Sequence, residues 1–123
     1  AETVIAACEE KVDSIEHGAY LNEEALCAMA EAGTVWVPTL STIGNLRGKG
    51  RFREGEVEKI LESAMKNVRR FAALGGLIAP GTDAGAWAVP HGSLTEYALL
   101  LEALGEDTDS LLEKGITVIR EKF

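Results

Sequence analysis

Leu77-Ile78-Ala79-Pro80-Gly81-Thr82-Asp83-Ala84-Gly85 begins as a continuous apolar run and ends on a carboxylate set between glycines. Such a run, from Leu77 to Thr82, has the composition of a strand covered on both faces, as strands of parallel sheets are. Val12-Asp13-Ser14-Ile15-Glu16-His17-Gly18 has the same plan, with an imidazole in place of the carboxylate. A ligand-bearing residue at the exit of a parallel strand lies where α/β folds assemble their sites. Two such stretches separated by helix and strand signals predict a site at the rim of a parallel sheet.

The rest of the chain supplies those signals. Glu2 to Lys11 has Val4, Ile5 and Cys8 on one helical face, and Val12 to His17 is the first strand. Asn22 is placed to cap a helix whose first turn carries Glu23 and Glu24, with Leu21 and Leu26 at the positions of a hydrophobic staple. Gly33 ends that helix. Thr34 to Leu40 is rich in β-branched and aromatic residues and forms the second strand, with Pro38 near its end. Ser41 to Gly55, with its glycines and Arg47, Lys49, Arg51 and Arg53, reads as irregular. Val57, Ile60, Leu61, Ala64, Met65, Val68, Phe71 and Ala72 trace one face of a helix over Glu56 to Leu74. After the third strand, the loop Ala84 to Gly92 holds Trp87, Pro90 and His91. Ser93-Leu94-Thr95-Glu96 then has the form of a capping box opening a helix to Leu104. A last helix spans Thr108 to Phe123 despite Gly115.

Strands alternating with helices imply right-handed crossovers and an α/β fold with about three parallel strands. The length of 123 residues accommodates a single domain over 1–123. A net charge of −8 argues against nucleic acid and anionic membrane surfaces. No apolar run approaches the ~20 residues of a membrane helix. Cys8 and Cys27 lack metal-site spacing and read as reduced thiols of a cytoplasmic protein. The chain opens on Ala1 rather than Met, so a piece of something longer is expected.

His17 can be a hydrogen-bonded turn histidine or a metal ligand, and Asp83 can cap its own turn or ligate. Imidazole and carboxylate both suit Zn²⁺, although catalytic zinc takes three protein ligands and a water. The basic loop Arg47 to Arg53 can bind a substrate carboxylate or be solvated surface. Trp87 can line a substrate pocket or shield the loop.

The chain resembles the amidohydrolase superfamily, in particular its imidazolonepropionase-like and Xaa-Pro dipeptidase-like branch. The resemblance is carried by Val12 to Gly18 running into Leu21-Asn22-Glu23-Glu24, by Val37-Pro38-Thr39-Leu40, by Gly81-Thr82-Asp83-Ala84-Gly85 and by Pro90-His91-Gly92. It implies the C-terminal portion of a TIM-like (β/α)₈ barrel, strands six to eight. It also implies a metal-dependent hydrolase of C–N bonds (amide, dipeptide or cyclic amide) using a divalent metal, zinc. His17 would be a metal ligand, Asp83 a metal ligand and the catalytic general base, and His91 would lie near the substrate mouth. The family's His-x-His strand, its bridging lysine or glutamate, and its strand-five histidine have no counterpart, and a barrel needs ~250 residues. The expectation is therefore a fragment with an incomplete active site, completed by the remainder of the barrel. The alternative is a non-catalytic remnant, a homo-oligomer that covers its exposed sheet edges by self-association.

Overall fold

Asn22 ends the loop that follows His17 because its side chain meets an orphan donor: Oδ1 accepts the Ala25 N–H at 3.0 Å. Helix α2 (Glu23–Ala32) starts there and stops at Gly33, whose φ of +69° is left-handed. Leu21 and Leu26 are both buried in the core, as a staple requires. Arg70 forks onto Glu23 through Nε, at 2.8 and 3.1 Å, and ties α2 to the long helix α4 (Glu54–Ala73). That pairing holds the Glu23 carboxyl below its ordinary range, the hydrogen bond from Arg70 being the main cause.

The protein is described by a computed structural model that covers residues 1–50, 53–85 and 89–123. The remaining elements are α1 (Glu2–Glu9), β1 (Ser14–Glu16), β2 (Val35–Val37), α3 (Leu40–Gly44), β3 (Leu77–Ile78), α5 (Thr95–Leu104), a 3₁₀ turn (Gly105–Asp107) and α6 (Thr108–Lys122). The sheet is parallel in the order β1-β2-β3, with Ile15 opposite Trp36 and Trp36 opposite Ile78. This is an open three-stranded α/β arrangement, and the described residues close no barrel.

Helices cover the sheet. The α4 face of Val57, Leu61, Ala64, Met65, Val68 and Phe71 is buried, as its periodicity predicts. Phe71 meets Trp36 edge-on, with ring centroids 5.6 Å apart and planes at 81°; this is the favoured geometry for aromatic pairs. On α6, Gly115 is buried where a Cβ would overlap the Ile78 carbonyl oxygen. The residue that looked like a blemish in the last helix is what lets α6 approach β3. No helix among the described residues is long and apolar enough to cross a membrane. Cys8 (buried) and Cys27 (half-buried) are both free thiols.

Three sequence expectations are corrected. Each strand is shorter than its apolar run: β1 ends at Glu16, where His17 turns out at positive φ, β2 ends at Val37, before Pro38, and β3 ends at Ile78. Ser41 to Gly55 is less irregular than expected, since α3 occupies its start and α4 begins at Glu54. Ser93 to Glu96 does not form a capping box. Ser93 Oγ accepts the Thr95 N–H at 3.2 Å, but Glu96 turns inward and serves another helix.

Candidate functional site

The three strand exits form one connected rim. His17 follows β1 at φ +67°, Thr39 follows β2 at φ +48°, and Asp83 lies beyond β3 at φ +53°. A β-branched threonine in this region is an outlier, and such conformations cost about 1–3 kcal/mol each. They persist where surrounding contacts over-determine them, and those contacts can be named.

His17 is held by its backbone. Its N–H donates to the Val37 carbonyl at 2.9 Å. Its own carbonyl accepts the Trp36 indole N–H at 2.6 Å, and Trp36 is fully buried. Gly18 (φ +86°) makes the turn that follows, and a Cβ there would lie 3.0 Å from Leu21 and 3.3 Å from the indole nitrogen. The imidazole is held as well: Nδ1 shares a 2.7 Å hydrogen bond with Thr39 Oγ1. Nε2 is thereby aimed at Asp83 Oδ2, 4.0 Å away.

Asp83 is placed from both sides. At Gly81 a Cβ would overlap Val37 Cγ1, so glycine lets the end of β3 lie against the end of β2. The Thr82 carbonyl accepts the Ser41 hydroxyl at 3.2 Å, and Thr82 Oγ1 accepts the Ala84 N–H at 3.3 Å. The His17 and Asp83 side chains are 58% and 52% exposed. A contact that open and that long adds little stability. The pair is instead accessible to a ligand.

Glu96 lies beneath this rim, 2% exposed. Its Oε1 accepts the Leu40 N–H at 3.0 Å and its Oε2 the Ser41 N–H at 2.6 Å, which caps α3. Burial pushes its carboxyl above the ordinary range, while the bonds from Ser41 and Leu40 pull the other way. Sequence reasoning missed Trp36, Thr39, Ser41 and Glu96 as supports of the rim. The only available signals were Thr39 directly after Pro38 and an acidic residue in a capping pattern.

His91 is exposed, and its ring lies over Gly85, where a Cβ would sit 3.6 Å from Cε1 and Nε2. It therefore stands on the same loop as Asp83. Trp87, and Arg51 of the basic loop, lie outside the described residues. Arg47 turns toward its own neighbourhood: Nε donates to the Gly44 carbonyl at 3.2 Å, and NH1 is 3.7 Å from Glu58. With Lys49 it lines an open depression of about 500 Å³ that also takes in Pro90, Ser93 and Thr95.

The donor chemistry at the rim fits a divalent metal in part. A ligating histidine ordinarily has its second ring nitrogen held by another group, as Thr39 holds His17. Two donors are fewer than the three of a catalytic zinc site. Among the described residues no three His, Cys, Asp or Glu side chains converge.

Comparison with known proteins bears on the fold. No family model matches the chain. A crystal structure of a Xaa-Pro dipeptidase with bound methionine in the active site superposes with a TM-score of 0.75 at 26% identity, over 98% of this chain and 32% of that one. A. niger ochratoxinase superposes at 0.70 and 25% identity, over 90% of this chain and 25% of that one. The fold is similar to that of part of these two amidohydrolase-like enzymes. Uncharacterized proteins of Mycobacterium bovis and Mycobacterium tuberculosis are 29% identical over 100 residues, 76% of this chain. The chain spans 27% of the length of these relatives.

Proposed function

We propose that the chain is the section of a metal-dependent amidohydrolase barrel that carries strands six to eight, contributing two donors to a zinc centre that hydrolyses C–N bonds. The observation that carries this reading is the aim of His17 Nε2 at Asp83 Oδ2, 4.0 Å apart across three strand exits. The similarity to two hydrolases over nearly the whole chain supports it. So does the share of those chains that is covered, which leaves room for the missing donors. The outer edges of β1 and β3, without a strand partner among the described residues, would be where the sheet continues. Self-association through the same edges is the other way to cover them. The two free thiols suit a cytoplasmic setting.

In this reading His17 and Asp83 hold the metal, which when bound lowers the pKa of a water to about 7. Asp83 would act as general base toward the water that attacks the substrate carbonyl carbon. It would return that water's proton to the nitrogen as the C–N bond breaks. His91, over Gly85, and Trp87 would face an amide, dipeptide or cyclic amide substrate. Zinc-supplemented hydrolysis of Xaa-Pro dipeptides and simple cyclic amides by the complete polypeptide tests this. Asp83→Asn is expected to lower kcat by about 10²–10⁴-fold, and His17→Ala to lower zinc content. Undiminished turnover in Asp83→Asn would overturn the reading.

A further inference from the structure

Glu96 belongs to no part of the chemistry above, yet it touches both halves of the rim through one short segment. Its two carboxylate oxygens take the N–H groups of Leu40 and Ser41, the residues directly after Thr39. On one side of that segment, Thr39 is kept at φ +48° and its Oγ1 meets His17 Nδ1 at 2.7 Å. On the other, Ser41 Oγ donates to the carbonyl of Thr82, the residue before Asp83. The bonds join residues 55 and 56 positions apart in the chain. They therefore lock the exit of β2 to helix α5, which follows the loop containing Asp83 and His91.

A cap for a five-residue helix needs no buried carboxylate. An exposed serine or asparagine serves at most N-termini. Burying an acid is unfavourable unless its acceptor capacity is used, and here both oxygens are used on the two N–H groups next to Thr39. Threonine resists the left-handed conformation, so something must hold the turn: the Thr42 hydroxyl donates to the Thr39 carbonyl at 2.8 Å from within α3, and Glu96 grips the next two N–H groups from another helix.

We infer that Glu96 is a positioning residue. By fixing the Thr39–Ser41 turn it sets Thr39 Oγ1 as the acceptor for His17 Nδ1–H, leaving the Nε2 lone pair directed at Asp83, and through Ser41 it sets the backbone of Thr82 and Asp83. This deepens the hydrolase reading and rests on it for its purpose. Its geometry can be tested without metal or turnover.

The test is ¹⁵N NMR of the histidine rings in the 123-residue chain, in metal-free buffer, with His91 as the internal control. The native chain is expected to show His17 in one tautomer, protonated on Nδ1. Glu96→Gln replaces one acceptor oxygen by an NH₂ that faces a backbone N–H. It is expected to split His17 into a tautomer mixture, shift the amides of Leu40, Ser41, Thr82 and Asp83, and leave the His91 ring signals in place. Glu96→Asp keeps the charge but is one methylene shorter, and it gives the same readout should the glutamine variant not fold. A folded Glu96 variant that loses thermal stability while His17 keeps its single tautomer would overturn the inference and reduce Glu96 to a helix cap. The native chain showing Nδ1 unprotonated would overturn it too. If Glu96→Gln scrambles the His17 tautomer but zinc leaves the native imidazole unmoved, the inference stands and the hydrolase reading falls.

Discussion

The two ends of the sheet solve the same backbone problem with different residues. The chain enters β2 after Gly33 and β3 after Gly75 and Gly76; Gly33 and Gly75 have φ of +69° and +80°. Neither of those two would place a Cβ near another atom, so each is there for its conformation alone. At the opposite end Gly18 and Gly85 also have positive φ, but the non-glycine residues there that do so are His17, Thr39 and Asp83, whose side chains form a connected set. Glycine adopts that conformation at no steric cost, whereas other residues give up about 1–2 kcal/mol. Strain is accepted at the end where side chains are needed and avoided at the end where they are not. Lys11, at φ +58° before β1, is the exception, and it shows that strain without a connected set of polar groups does not mark a site.

That contrast holds only while α6 keeps β3 in place. Gly115→Ala should break it. In an exposed helix the change would add about 1 kcal/mol of stability, but here the new methyl meets the Ile78 carbonyl. We expect the sign to reverse, with a loss of about 3 kcal/mol or more in urea unfolding and a displaced Asp83 loop. Gly33→Ala should cost about 1 kcal/mol, because only the entry turn resists a Cβ. Asp83→Gly should do the opposite, leaving the fold unchanged or up to about 1 kcal/mol more stable as the strained residue is relieved. If Asp83→Gly is as destabilising as Gly33→Ala, the two ends do not differ in the way described. Both are read from the same urea curves.

Much of the scaffold was legible because it rests on local rules. The Asn22 cap, the Leu21–Leu26 staple, the Gly33 stop and the buried face of α4 each follow from residues a few positions apart. That the three strands run parallel followed from their alternation with helices. His17 and Asp83 could be singled out because each ends an apolar run beside glycine. What supports them could not, because those contacts are long-range. Glu96 reaches residues 55 and 56 positions away, and Thr39 reaches His17 across 22. Glu96 also satisfied a local pattern, Ser93-Leu94-Thr95-Glu96, that the folded chain does not use, since the buried α3 donors compete successfully for its carboxylate. Gly115 read as a defect because its partner is a strand carbonyl 37 positions earlier in the sequence.

The most direct test of the rim as part of a metal centre is a zinc titration of the chain followed by ¹⁵N histidine NMR, with Asp83→Asn in parallel. His17 Nε2 is expected to move with zinc while Nδ1 stays protonated, weakly because only two donors are present, and the response should vanish in Asp83→Asn. Zinc that shifts His91 or the cysteines while His17 stays unmoved would contradict the assignment of this rim to a metal.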